Sequence, residues 1–212
     1  MAILHGVPPS PFVRKVRAFL AEKGLPYELR PVPPFPPANA TPEFRRMSPL
    51  GKVPAYSEGD FSISDSSVIC AYLERTHAEA PLYPADARDY ARALWLEEYA
   101  DTKMAETLGA VFFNRIVKER FLGQKSDEAV VRRALDEHLP GVLDYLEGQL
   151  GDASYLVGGR FSIADIAVCT QLQQLRHAGE TLDAARWPRL AAYAERILSR
   201  PSFKGALADE KL

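Results

Sequence analysis

The sequence predicts two folded parts in tandem: a small α/β domain with the order βαβ-α-ββα, then a larger all-helical domain. Three observations carry that expectation. Short strand-like runs and helical spacings alternate as far as Leu73. A polar stretch from Glu74 to Asp86, punctuated by Pro81 and Pro84, then reads as a linker. From about Arg88 onward strand alternation stops and long helical periodicity takes over. The boundaries drawn are 1–78 for the α/β domain, 79–87 for the linker and 88–212 for the helical domain.

The first part can be justified element by element. Ala2 to His5 is a short buried strand, and Gly6 to Pro11 is a loop ending at a helix start. Val13, Val16, Phe19 and Leu20 repeat at helical spacing, which leaves Arg14, Lys15, Arg17, Glu22 and Lys23 on the other faces; Gly24 ends the helix. Tyr27 to Val32 is strand-like, and Pro31, lacking a backbone donor, favours a sheet edge. Strand, helix and strand at this spacing form a right-handed βαβ unit. Pro31 to Pro37 is proline-dense and therefore stiff and extended. A short helix is expected at Pro42 to Met47.

In the second part, helical periodicity covers Arg88 to Phe121, Asp127 to Leu150, Ser162 to Ala178 and Trp187 to Ser199, with breaks at Gly123, Gly151, Gly158-Gly159, Gly179 and Pro201. Phe161-Ser162-Ile163-Ala164-Asp165-Ile166 specifies one helix start closely. Ser162 and Asp165 form a capping box, and Phe161 and Ile166 occupy the staple positions.

Bulk properties exclude several classes. The 212 residues are 47% hydrophobic and 25% charged, as in ordinary globular chains. A net charge of −2 gives no electrostatic case for nucleic acid or anionic lipid. No apolar run approaches the roughly 18–20 residues of a membrane span. Met1 to Gly6 has neither a basic segment nor an apolar signal core, so a cytoplasmic location is expected. Cys70 and Cys169 are far apart, form no Cys-x-x-Cys pair and lack metal-ligand spacing with the histidines. They read as core residues, and no metal site is expected.

The richest stretch runs from Ser48 to Leu73. Val53-Pro54 follows a Gly-Lys turn and precedes the strand Ala55 to Ser57, a usual way to turn backbone amides toward a ligand. Glu58-Gly59-Asp60 supplies hairpin chemistry before the alternating Phe61, Ser62 and Ile63. Ser64 to Ser67 then forms the polar start of a helix carrying Val68, Ile69, Tyr72 and Leu73. The free amides there suit a carboxylate, so a small, charged, peptide-like ligand is expected.

Four motifs in this order resemble the cytosolic glutathione transferase family: residues 9–17, residues 48–54, Ile63-Ser64-Asp65-Ser66 with Ile69, Tyr72 and Leu73, and residues 161–165. The resemblance covers essentially the whole chain, and its first motif looks most like the serine-type classes. It implies a thioredoxin-like domain followed by the helical domain. It also implies a homodimer in which the first domain of one subunit packs on the helical domain of the other, with glutathione as co-substrate and no other cofactor.

Carried over by position, Ser10 matches the residue whose hydroxyl donates to the glutathione sulfur; the competing reading is a plain helix N-cap. A free thiol has a pKa of about 8.5, so little is thiolate at neutral pH. Lowering it by about 2 units takes about 2.7 kcal/mol, within reach of one hydrogen bond plus a helix N-terminus. The glutathione-binding set is Phe12, Lys52, Val53, Pro54, Asp65 and Ser66. In it the Val53 backbone, held by a cis Val53-Pro54 bond, pairs with the cysteinyl unit. Asp65 meets the γ-glutamyl ammonium and Ser66 its carboxylate. Lys52 meets the glycyl carboxylate or is an exposed loop lysine. Ser48 departs from the asparagine many members carry before the proline.

A hydrophobic electrophile would lie over the sulfur. Leu108, Val111, Phe112 and Arg115 share a helix face that either borders that cleft or belongs to the core. Phe12, Phe35 and Pro36 are candidates for the opposite wall. The implied reaction is conjugation of the glutathione thiolate to an electrophilic carbon, with peroxide reduction as a side activity. Two alternatives stand beside it. A glutathione-dependent isomerase usually shows Ser-Ser-Cys where this chain has Pro9-Ser10-Pro11. A non-catalytic binding protein usually lacks the thiol or γ-glutamyl readers, which are present here as Ser10, Asp65 and Ser66.

Overall fold

The structure, a computed structural model, describes residues 1–210 and 212. Two units are distinguished: Met1–Leu82 together with residues 201–210, and Tyr83–Arg200. In the first, β1 (Ala2–His5), α1 (Pro11–Glu22), β2 (Glu28–Arg30), α2 (Pro42–Met47), β3 (Ala55–Glu58), β4 (Phe61–Ser64) and α3 (Ser66–Thr76) follow the expected order. The sheet runs β2-β1-β3-β4, with β1 parallel to β2 and the other pairs antiparallel. This is a thioredoxin-like arrangement. β2 is an edge strand and stops before Pro31, as a residue without an N–H requires.

Helix α1 differs from its amphipathic reading. Val13, Val16, Phe19 and Leu20 are buried as expected, but so are Arg14, Lys15 and Arg17. The reason lies at the far end of the chain. A further helix, Pro201–Leu207, returns to pack against α1, so residues 201–210 belong to the α/β unit rather than to the helical part. Arg14 makes a two-pronged ion pair with Glu210, both bonds at 2.6 Å. Arg17 reaches Asp209 at 2.6 Å and the Ala206 carbonyl at 2.8 Å. Lys15 donates to Ser67 Oγ at 2.8 Å. Periodicity within α1 carries no sign of a cover that arrives from almost 200 residues away.

Breaking a buried ion pair leaves an uncompensated charge, at a cost of about 3 kcal/mol. Glu210→Ala is therefore expected to lower unfolding stability by about that much, read as a lower urea midpoint with an unchanged slope. An unchanged midpoint would show that the Arg14–Glu210 pair contributes nothing to stability.

The second unit contains α4 (Ala87–Tyr99), α5 (Ala105–Phe112), α6 (Glu128–Arg133), α7 (Leu139–Leu150), α8 (Ile163–His177) and α9 (Pro188–Leu198); the helix that follows, Pro201–Leu207, is α10. Wider π-type turns at Ala100–Met104, Phe113–Phe121 and Ala134–His138 continue these helices, so helical backbone is unbroken over residues 87–121 and 128–150. α8 is buried from Ile163 to Leu175 and forms the axis of the unit. Its capping box is present, and the Asp165 carboxylate gathers four donors: Leu156 N–H at 3.0 Å, Ser162 N–H at 2.8 Å, Ser162 Oγ at 3.2 Å and Tyr193 OH at 2.7 Å. Burial pushes this carboxyl up from its ordinary value, while those hydrogen bonds pull the other way. Among the described residues no helix is long and apolar enough to cross a membrane.

Candidate active site

The sheet register assembles the site. His5 pairs with Ala55, and Ala55 with Ser64. The segment after His5, the segment before Ala55 and the segment after Ser64 therefore leave the sheet at one end, on adjacent strands. β1 and β4 flank β3 at about 4.8 Å spacing, so the three segments span about 10 Å. An extended tripeptide has about that length.

The first segment is brought in by Gly6. A Cβ there would lie 2.4 Å from Val13 Cγ2 and 3.4 Å from Val53 Cβ, so only glycine lets the loop pass between α1 and Val53. The loop delivers Ser10 to the N-cap of α1 in extended geometry, followed by Pro11 at the first helical position. Ser10 Oγ accepts a long bond from Val13 N–H at 3.5 Å. A hydroxyl accepts through lone pairs and donates through its hydrogen, so capping leaves the donor uncommitted. The cap reading and the donor reading of Ser10 are thus compatible.

The second segment is fixed by Ser48. Its buried hydroxyl accepts from Lys52 N–H at 3.1 Å and donates to the Lys52 carbonyl at 2.7 Å, closing the turn ahead of Val53. Asn39 Nδ2 adds a bond to the Gly51 carbonyl at 3.0 Å. Serine here takes on the loop-closing bonds, so the departure from asparagine leaves the segment well held. The Val53-Pro54 bond is cis. Lys52 is exposed, next to this backbone.

The third segment is the start of α3. Asp65 is its N-cap, with φ of +82°, a conformation disfavoured for a residue with a Cβ. Its Oδ1 accepts from Ser67 N–H at 3.0 Å and Val68 N–H at 3.2 Å. Oδ2 has no protein partner among the described residues. Ser66 opens the helix, where the N–H has no intrahelical acceptor. Sequence reasoning missed Lys15, whose buried side chain donates to Ser67 Oγ in the first turn of this helix at 2.8 Å. Its signal, a cation within the α1 pattern, is indistinguishable from a solvated one without the fold.

His5 lies one strand residue from the site, bonded through Nε2 to Ser57 Oγ at 2.9 Å. Burial, with Arg30 adding to it, holds its imidazole below the ordinary value.

The stripe expected to border an electrophile is placed differently. Leu108 and Val111 are fully buried and Phe112 nearly so; Val111 packs with Val131, Ala134 and Ala178. Arg115 is tied to Glu180 and Glu128 and to the Ala178 carbonyl. Leu108, Val111 and Phe112 thus pack inside the helical unit, while Arg115 keeps 28% of its side chain exposed. The exposed apolar positions are the next ones along, Phe113 and Phe121, with the half-buried Val117 between them. Phe35 and Phe12 are half-buried in the first unit. Both cysteines are buried, and burial, with the Asp165 charge adding to it, pushes the Cys169 thiol up, so it is a core residue and not a nucleophile. Among the described residues no cluster of His, Cys, Asp and Glu is suited to a metal ion.

Comparison with known proteins decides the family. Residues 4–81 match the family model "Glutathione S-transferase, N-terminal domain", and residues 128–196 match "Glutathione S-transferase, C-terminal domain". The chain is similar to Glutathione S-transferase 3 of Zea mays, at 34% identity over 97% of this chain and 92% of that protein. It belongs to the glutathione S-transferase family. The fold agrees: the crystal structure of glutathione transferase F7 from Populus trichocarpa matches with a TM-score of 0.88 at 25% identity, covering all of both chains. A structure of glutathione S-transferase-I bound with lactoylglutathione matches equally well, at 0.88 and 25% identity over 99% of each chain. The transferase thus has the two-part fold and the family's enzymatic character.

Proposed function

We propose that this transferase activates glutathione through Ser10 and conjugates the thiolate to an electrophilic carbon of a mostly apolar small molecule. The observation that carries the reading is the convergence of Ser10, the Val53 backbone and the Asp65-Ser66 helix start at one end of the sheet, at tripeptide spacing. In this reading the Ser10 hydroxyl donates to the sulfur while its oxygen caps α1, and Phe12 N–H in the first turn adds positive potential. The Val53 backbone pairs with the cysteinyl unit. Asp65 Oδ2 takes the γ-glutamyl ammonium; Ser66 N–H and Oγ take its carboxylate. Lys52 meets the glycyl carboxylate.

Two features support a homodimer of the family kind. The α/β unit exposes Phe61 and Val68, and the helical unit exposes Tyr90, Leu94 and Trp95, large apolar groups that a partner copy would cover. Two free, buried cysteines suit a reducing compartment such as the cytoplasm.

The test is an activity panel with glutathione and aryl halides, epoxides and hydroperoxides. Turnover of the carbon electrophiles is expected; glutathione binding by calorimetry with no turnover on any of them would instead mark a binding protein. Asp65→Asn keeps the cap and removes the charge, so KM for glutathione should rise about tenfold, the loss of one charge-assisted hydrogen bond, with kcat little changed. An unchanged KM would remove Asp65 from ammonium recognition.

A further inference from the structure

The α/β unit contains a cavity of about 560 Å³ at the end of the sheet remote from Ser10. Ala2 pairs with Glu58 there, three residues along β1 from the His5–Ala55 pair, or about 10 Å away. The volume falls in the range of small-molecule sites, and the walls include Leu25, Pro26, Tyr27 and Tyr56. Glu58 and His77 are among its polar lining residues. Glu28 also borders the cavity, but Arg30 engages its carboxylate.

Glu58 is the unusual member. It is half-buried, accepts one hydrogen bond from Tyr56 OH at 3.2 Å, and has no ion-pair partner among the described residues. A carboxylate at an apolar wall is stabilised by a cation, and tyrosine faces attract one as well. Met1 lines the same cavity without pairing to Glu58. We propose that the cavity binds a small organic ammonium ion, an apolar or aromatic primary amine, with Glu58 as counter-ion. Such a site is separate from the glutathione site and independent of its chemistry.

Calorimetry on the full chain with 2-(1-naphthyl)ethylamine and its neutral counterpart 2-(1-naphthyl)ethanol tests this. The amine should bind about tenfold more tightly than the alcohol, the worth of one hydrogen-bonded charge. Glu58→Gln, which is isosteric and retains an acceptor for Tyr56, should bring the two ligands to equal affinity. Saturating glutathione should leave amine binding unchanged, and Leu25→Trp, which narrows the cavity, should weaken both ligands. Equal affinities in the unmodified protein, a preference that survives Glu58→Gln, or displacement of the amine by glutathione would each overturn the proposal.

Discussion

Alanine in place of Ser10 should lower conjugation near pH 7 by about thirtyfold while leaving KM for glutathione nearly unchanged. A hydrogen bond to a charged group contributes roughly 1.5–3 kcal/mol, and each 1.36 kcal/mol is one factor of ten. The bond is made only to the thiolate, so its loss raises the sulfur's pKa and shifts activity to higher pH. Recognition of the peptide remains with Val53, Asp65 and Ser66, which explains the steady KM. Folding is a lesser concern, because the cap bond to Val13 N–H is already long at 3.5 Å. Activity of the variant at pH 6.5 equal to that of the parent would remove Ser10 from the mechanism.

Asp165→Ala should destabilise the chain by about 5 kcal/mol, enough to approach the whole stability of an ordinary domain. The substitution strands the N–H groups of Leu156 and Ser162 and the hydroxyls of Ser162 and Tyr193, all buried. Each orphaned donor costs roughly 1–3 kcal/mol, and the capping box of the central helix loses its reciprocal half. Thermal or urea unfolding of purified protein measures this, with poor soluble yield at growth temperature as the coarse sign. A loss under 1 kcal/mol would mean that the network is not what orders α8.

The fold and the local geometry of the candidate site were legible because their signals are local. The N-cap at Ser10, the Val53-Pro54 pair and the polar start of α3 announce themselves within a few residues, and so does the Ser162–Asp165 box. What escaped the sequence depends on long-range cover. Arg14 and Arg17 read as a solvated face because the carboxylates of Asp209 and Glu210 lie at the other end of the chain, and Lys15 does because Ser67 is 52 residues away. The Leu108–Arg115 stripe was ambiguous for the same reason: an apolar helix face looks alike whether it meets a ligand or a neighbouring helix. Here the fully buried Val111 meets the latter, and the exposed apolar residues of the same helical stretch are Phe113 and Phe121.

The proposed catalyst stands or falls on the ionisation of bound glutathione. Ultraviolet difference titration of the binary complex reads the thiolate directly. A midpoint near 6.5, about 2 units under the free thiol and restored toward 8.5 by Ser10→Ala, is the predicted result. A bound sulfur that still titrates at or above its free-solution value would contradict it.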